Sequence, residues 1–375
     1  MQDLYIIPIE KLETRYTTEW YHHIPKMLEI EAQKIGKDVN VIVVDGEEVS
    51  PMPTPGAFLD FAATNIFKSS QLSAICDQFR QNKIAPNTKF LFTDAWNPNV
   101  IQLRYMSELL GIPIEIHGMW HAGSYDPADF LGRLIGDKPW VRNAEKSMME
   151  CYDTNWFATT FHMDMFIKTL FGKPNESIYE YAQTRSNFIG TNKVDITGWP
   201  MDYLFDTLKP FTELKKKPQI VFPHRLAPEK QLEIFKDLEK SMPEYQWIVC
   251  QEKTLTKDDY HTILGESKII FSASLQETLG ISSCIEGPLC GALPFSPNRL
   301  SYAELFKGFP MFLYPSEWTE NWEAYIANKY KLIERLKLLI EYSNSTWIKT
   351  YLNEYINNNC KKYFIADNLI KSLIF

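Results

Sequence analysis

No run of about 18 apolar residues occurs in the chain, so no membrane-spanning helix is expected. The opening residues, MQDLYIIPIEKLE, place no basic segment ahead of an apolar one, which argues against a secretory signal and for a cytoplasmic location. Cysteine is sparse. The six, at 76, 151, 250, 284, 290 and 360, never fall two residues apart in the Cys-x-x-Cys pattern, so neither a zinc site nor a disulfide framework is expected. Positive charge is also in deficit: the net charge is −8, and residues 1–200 hold 25 acidic against 18 basic side chains. That balance disfavours nonspecific attraction to nucleic acid, although a local basic groove can exist within an acidic total. No solenoid-period repeat and no low-complexity segment is visible.

What is present is a 375-residue chain with 45% apolar and 23% charged residues, enough for two domains with ample cores. Apolar runs alternate with stretches of helical spacing. Leu4 to Ile9 reads as a strand, Trp20 to Ile35 as a helix ended by Gly36, and Asn40 to Val44 as a buried parallel strand. The connection Glu13 to Trp20 has no glycine, so the dinucleotide-binding fingerprint is missing where a dehydrogenase would carry it. Pro51 to Gly56 reads as a stiff loop and Phe58 to Gln81 as a helix. Lys89 to Thr93 is then a strand, Asn99 to Gly111 a helix, Ile112 to His117 a strand and Phe161 to Phe171 a helix. Asn187 to Ile189 together with Val194 to Asp202 closes this first half. The alternation predicts an α/β fold with doubly wound parallel sheets, whose ligands bind beyond the carboxyl ends of the strands. Asp94, Trp96, His117, Trp120 and His121 fall at such ends, and Tyr125 and Asp126 lie in the site-like loop that follows; Arg15, at the edge of the first strand, reads either as a functional cation or as a capping and solubilising residue. His117 and His121 have metal-like spacing, but a glycine interrupts them and no third ligand is in view, so no metal is expected.

After Asp206 to Pro218, read as an interdomain linker, come the strand Gln219 to Phe222 and the run Pro223-His224-Arg225-Leu226-Ala227-Pro228-Glu229-Lys230. Gln246 to Cys250 and Phe309 to Tyr314 read as further strands, Asn321 to Glu341 as a long helix and Thr346 to Phe375 as helical. The most informative stretch is FSASLQETLGISSCIEGPLCGALP, residues 271 to 294. It reads as strand, loop, helix. Gly280 allows close backbone approach to a ligand, and the helix start that follows favours an anion such as a diphosphate. Glu277 and Glu286 bracket that start and suit sugar or ribose hydroxyls better than phosphate. On the residues alone, a buried helix flanked by two surface acids fits as well.

Glu277-Thr278-Leu279-Gly280, Glu286 and Gly291-Ala292-Leu293-Pro294 resemble the donor-site signature of retaining glycosyltransferases with the GT-B fold, although eight residues separate the two acids here where the family has seven. Arg225 and Lys230 are similar to that family's diphosphate clamp. The resemblance implies two Rossmann-like domains facing across a cleft: an acceptor domain at 1–205, a nucleotide-sugar domain at 206–345, and C-terminal helices at 346–375 crossing back. It implies a nucleoside-diphosphate sugar as co-substrate, most commonly UDP-linked, no further cofactor, and metal-independent transfer of a hexose or pentose with retention at the anomeric carbon. In that reading Arg225 and Lys230 hold the diphosphate with Thr278, Leu279 and Gly280, Glu277 positions the sugar and Glu286 the ribose. His121 is a catalytic candidate that either hydrogen-bonds the donor sugar or orients the acceptor hydroxyl. The runs Arg15 to Tyr21 and His121 to Pro127 resemble bacteriophage-encoded, DNA-modifying glycosyltransferases, which implies double-stranded DNA carrying 5-hydroxymethylcytosine as acceptor, in the host cytoplasm. Trp96, Trp120 and Tyr125 would then stack an extruded base, and Arg15, Arg133, Lys138, Arg142 and Lys215 to Lys217 would line the DNA backbone. A surface polysaccharide or lipid-linked sugar is the alternative acceptor. A noncatalytic nucleotide-sugar-binding protein is the alternative function.

Overall fold

The computed structural model describes residues 2–12, 15–49, 60–136, 138–173, 177–190 and 193–375. Pro51 to Gly56, read as a stiff loop, lies outside them. The chain forms two compact units, Met1–Pro200 with Ala366–Phe375, and Met201–Ile365.

The first unit holds a six-stranded parallel sheet: β1 Gln2–Ile7, β2 Val39–Val43, β3 Lys89–Phe92, β4 Glu115–Met119, β5 Thr154–Phe157 and β6 Val194–Ile196, in the order β2-β1-β3-β4-β5-β6. Leu4 of β1 pairs with Val41 on one side and Lys89 on the other. Parallel neighbours need crossovers, and helices supply them. Trp20–Lys34 buries Trp20, Tyr21, Ile24, Leu28 and Ala32, one stripe at helical spacing, and stops before Gly36 at φ +68°. Asp60 caps Phe61–Arg80 by accepting from the N–H groups of Ala62 and Ala63. Asn99–Leu110 ends on Gly111 at φ +66°. The core gathers Phe90, Phe92, Ile116, Trp120, Phe157 and Phe166. The helix Asp367–Ile374 packs on Trp20–Lys34, its last carbonyls capped by cations: Lys37 Nζ reaches Ile374 O at 2.5 Å and Lys89 Nζ reaches Ser372 O at 2.7 Å.

The second unit repeats the plan with five parallel strands: β7 Gln219–Phe222, β8 Gln246–Val249, β9 Ile269–Phe271, β10 Leu293–Pro297 and β11 Leu313–Tyr314, in the order β11-β10-β9-β7-β8. In both sheets the first strand lies between the second and the third. The loops after β1 and β3, and after β7 and β9, therefore leave in opposite directions and open a crevice at the carboxyl ends.

Some elements differ from the sequence reading. β2 is half-buried, because it is the edge of its sheet. Ile112 to Ile114 precede β4, since the turn at Gly111 ties Ile112 N to Ser107 O before pairing begins at Glu115. Asn187 to Ile189 belong to the helix Ile178–Gly190. Pro310–Phe312 is a single tight turn that leaves only two residues for β11. The segment read as a linker folds into Leu204–Thr207 and Lys209–Thr212, with Leu208 fully buried and Lys216 Nζ donating to Gly265 O and Cys290 O at 2.7 Å each. Burial lowers the Lys216 pKa to about 8. Lys217 is paired with Glu266 at 2.5 Å. The Lys216 ammonium is therefore turned inward and does not line a DNA backbone, whereas Lys217 is exposed.

Candidate active site

The crevice between β7 and β9 brings the donor-type residues together. Beyond Phe222 the chain passes His224 and Arg225, makes one turn at Pro228–Lys230, and enters the helix Leu232–Ser241 through Gln231 at φ +53°. Left-handed backbone is unusual for glutamine, and its side chain is fixed: Nε2 donates to Ala273 O at 2.6 Å and Thr319 O at 2.7 Å. Lys230 is buried. Its ammonium donates to Gln276 O at 2.5 Å and to Glu277 Oε2 at 3.2 Å, so the two sequence motifs meet in one ion pair. Arg225 closes on Glu229 Oε1, with Nη2 at 2.5 Å and Nε at 3.1 Å.

Glu277 sits at the end of the loop after β9. Burial would raise its pKa, but the Lys230 charge, with the Gly280 N–H, holds it below the ordinary value, so it is a carboxylate. Gly280 has φ +69°, and a Cβ there would lie 2.8 Å from Tyr302 Cε1, so glycine is required on both counts. The helix at 281–289 follows and widens to a π-type turn over Ser282–Glu286. Gly287 lets it press on β9, since a Cβ would meet Ile270 Cδ1 at 1.7 Å. Glu286 faces another edge of the helix, with the Tyr260 hydroxyl at 3.0 Å and His261 Nε2 at 3.7 Å.

A buried polar web holds the 272–280 loop from beneath. Arg299 donates to the carbonyls of Ala273, Ser274, Ser316 and Thr319 at 2.7 to 3.1 Å. The Tyr314 hydroxyl donates to Ser272 O at 2.7 Å, and Ser272 Oγ lies 2.9 Å from the Tyr302 hydroxyl. Sequence reasoning missed Arg299, Gln231, His224 and Tyr260. No spacing announces an arginine whose partners are main-chain carbonyls.

The first-unit residues divide into two groups. Arg15, Asp94 and His121 lie at the carboxyl ends of β1, β3 and β4 and feel one another's charge. Arg15 is 3.9 Å from Glu10, and Asp94 Oδ1 accepts from the Trp96 N–H. His121 Nε2 faces Thr93 O at 2.6 Å and so carries the proton, leaving Nδ1 to accept from the Tyr16 hydroxyl at 2.8 Å. The rings of Trp20 and Trp199 pack 5.4 and 5.2 Å from it. Burial lowers the His121 pKa, so the ring is neutral.

Trp120, Tyr125, His117 and Asp126 are corrections, whereas Trp96 is half-buried. Trp120 is fully buried against Tyr125, Tyr152, Phe157 and Phe166, its indole N–H on Asn155 Oδ1 at 2.8 Å, so it fills the core and presents no face to a base. Tyr125 is buried on His162, hydroxyl to Nε2 at 2.6 Å. His117 lies inside β4, donating to Glu115 and accepting from the Trp156 indole at 3.1 Å. Asp126 is buried and closes a turn by accepting from the Ala128 N–H, and Trp96 donates its indole N–H to Glu145. Among the described residues no group of three or more His, Cys, Asp or Glu side chains is assembled that could hold a metal ion. Nor is any described helix long and apolar enough to cross a membrane.

No protein-family model and no curated protein sequence matches the chain. Solved structures do match. The catalytic domain of starch synthase IV from Arabidopsis thaliana, bound to ADP and acarbose, superposes with a TM-score of 0.58 at 11% identity, over 100% of this chain and 99% of that one. A glycosyltransferase from Rickettsia africae ESF-5 gives 0.56 at 11% identity, over 99% and 96%. The chain has the α/β fold of these GT-B glycosyltransferases, two Rossmann-like units each built on a doubly wound parallel sheet. At this identity the likeness is one of fold.

Proposed function

We propose that the protein is a glycosyltransferase that moves a sugar from a nucleoside diphosphate to a hydroxyl. The observation that carries this reading is the Lys230–Glu277 pair in the β7/β9 crevice, beside a helix start opened by Gly280. A cation and a fixed carboxylate in that position serve the two halves of a nucleotide sugar. In the reaction the acceptor oxygen bonds to the anomeric carbon, the bond from that carbon to the diphosphate oxygen breaks, and the acceptor proton leaves to a base or to the departing diphosphate. Lys230, Arg225 and the helix start after Gly280 would meet the charge that grows on the diphosphate, the cations in the place a metal takes elsewhere. Glu277 would receive sugar hydroxyls, Glu286 the ribose, and Thr278 and Leu279 would lie along the donor. The fold likeness to a starch synthase bound to ADP and acarbose supports nucleotide-sugar chemistry.

The π-type turn supports the register of the two acids. A π-turn takes up one residue more than a regular helical turn, and one residue is the excess of the Glu277–Glu286 spacing over the family pattern. Retention at the anomeric carbon and a uridine donor rest on that resemblance. The acceptor domain at 1–205, the donor domain at 206–345 and the acceptor role of Arg15, Asp94 and His121 are part of the same proposal. For DNA as acceptor, the sequence likeness keeps the half-buried Trp96 but loses Trp120 and Tyr125 as stacking residues, because these two are core residues.

The test is a binding panel of UDP-, ADP-, GDP- and dTDP-sugars by calorimetry, followed by mass spectrometry of acceptors incubated with the best binder. The acceptors are hydroxymethylcytosine DNA, oligosaccharides and a lipid-linked sugar. Binding and transfer of one sugar are expected; absence of binding across the panel would overturn the reading.

A further inference from the structure

Tyr260 stands in the first turn of the helix Lys257–Glu266, whose start is fixed by a reciprocal cap: Thr256 Oγ1 accepts from the Asp259 N–H at 3.1 Å, and Asp259 Oδ2 accepts from the Thr256 N–H at 3.2 Å. Its hydroxyl reaches the π-type turn and lies 2.9 Å from Ser282 Oγ and 3.0 Å from Glu286 Oε2, on the first and last residues of that turn. A phenol has one proton and a carboxylate can only accept, so the proton goes to Glu286 and the Ser282 hydroxyl donates to the phenol oxygen. Burial, then the Glu286 charge, pushes the Tyr260 pKa well above its ordinary value, which keeps the hydroxyl a donor. The chain of hydrogen bonds from Ser282 through Tyr260 to Glu286 ties both ends of the widened turn to a neighbouring helix.

That tie leaves most of the Glu286 carboxylate unused. Its side chain is 15% exposed, and among the described residues Oε1 has only the His261 ring near it, at 3.7 Å, too long for a hydrogen bond. The Glu286 charge reaches Cys250, the residue that follows β8, so the carboxylate stands at the carboxyl ends of the strands. An untethered glutamate samples several rotamers, and holding it in one removes an ordering cost when a ligand binds. We propose that Tyr260 is a positioning residue: its hydroxyl holds Glu286 in the pose from which the carboxylate accepts from the ribose hydroxyls of the donor. It acts through Glu286 and touches no reacting atom. This inference rests on the donor-site reading above.

The experiment is calorimetry of the full chain with UDP, ADP and GDP and with their dideoxy counterparts, which lack both ribose hydroxyls, repeated on Tyr260→Phe, Glu286→Ala and the double variant. The wild type is expected to bind one ribonucleotide about 10- to 100-fold more tightly than its dideoxy form, the range for hydrogen bonds to a charged acceptor. Tyr260→Phe should cut that ratio by about fivefold, the cost of ordering one side chain on binding, and leave the dideoxy affinity within about twofold. A loss of packing would instead lower both affinities together. Glu286→Ala should bring the ratio close to unity, and adding Tyr260→Phe should change it no further, because the tyrosine has lost the group it positions. An unchanged ratio in Tyr260→Phe, an equal loss for the two nucleotide forms, or a further fall in the double variant overturns the proposal while leaving the donor site standing. A wild type that binds nucleotides without preferring the ribose form overturns the ribose role of Glu286 and this inference with it. A wild type that binds none of the nucleotides overturns the donor site itself. Should Tyr260→Phe fail to fold, Ser282→Ala reads the same chain from its other end: losing the donor to the phenol oxygen should lower the ratio by about twofold, and an unchanged ratio overturns the assignment.

Discussion

The two sheets share a winding order, and their two crevices differ in how the ends of the strands are used. Between β7 and β9, Lys230 and Glu277 come from separate loops and meet at 3.2 Å over a floor of buried hydrogen bonds from Gln231, Arg299 and Tyr314. Between β1 and β3, Arg15 and Glu10 stand 3.9 Å apart, and His121 is enclosed by Tyr16, Trp20 and Trp199. A fixed carboxylate and ammonium suit one ligand held in one pose. A neutral imidazole under aromatic rings suits a hydroxyl-bearing partner of less demanding charge.

The largest effect expected on this contrast comes from Lys230→Met. Removing one partner of a buried pair strands the other, so stability should fall by roughly 3 to 5 kcal/mol in denaturant unfolding. Turnover should fall by about 10²- to 10³-fold from the lost stabilisation of the leaving diphosphate. Arg15→Met removes a cation that the proposal keeps away from the diphosphate, and should cost far less in turnover. Equal losses in turnover for the two variants would erase the distinction between the crevices.

That contrast also explains what could be read in advance. The donor-type loop was legible because its geometry forces residue types: Gly280 must take positive φ beside Tyr302, and Gly287 must clear Ile270. The alternation of strands and helices was legible because buried strands and one-sided helices leave different apolar periods. The loop from His121 to Asp129 misled because its residues are those of either a site or a turn. Asp126 closes a turn, Asp129 caps the helix Phe130–Ile135 by accepting from the Leu131 N–H, and the aromatics fold inward. Composition cannot tell an aromatic residue that waits for a ligand from one that fills a core. Nor does it show that Gln231 will adopt left-handed backbone to bridge two loops.

Trp120→Ala carries the next effect and sharpens the division between core and crevice. A fully buried tryptophan replaced by alanine should cost about 3 to 5 kcal/mol in denaturant unfolding, with nucleotide-sugar affinity unchanged at temperatures where the variant stays folded. Loss of affinity without loss of stability would return Trp120 to a binding surface.

Each unit also buries a neutral histidine whose pKa is pushed down to about 3, chiefly by burial: His162 in the first and His224 in the second. Unfolded, each takes its proton near pH 6.5, so the unfolded state binds more protons between about 3 and 6.5. Stability is therefore full above that range and falls as pH drops through it, by up to about 1.4 kcal/mol per pH unit for each ring. Glu277 adds its own loss below its ordinary value near 4.5, because its pKa is lowered in the folded state. Denaturant unfolding at pH 7, 6, 5 and 4 should show the slope, and His162→Gln or His224→Asn should each remove one share of it. A slope untouched by both would mean that these rings are protonated or solvated in the folded protein.

The smallest expected effect belongs to His121, and it bears most directly on the first crevice. If the ring acted as a general base, a limb below pH 6.5, where burial has moved its pKa, should appear in the pH dependence of kcat/KM and vanish on substitution. Both nitrogens are instead engaged, Nε2–H on Thr93 O and Nδ1 on the Tyr16 hydroxyl, and burial keeps the ring neutral. A neutral imidazole tied at both ends can orient the Tyr16 hydroxyl toward an acceptor, and it can take a proton only by giving up one of those bonds. His121→Gln offers an amide to the same two partners. It should raise the KM for the acceptor by a few fold, leave kcat within about threefold, and leave the pH profile unchanged from 6 to 8. A hundredfold fall in kcat together with loss of a limb below 6.5 would show His121 to be the base, and would make the first crevice, like the proposed donor crevice, a place where charge is moved during the reaction.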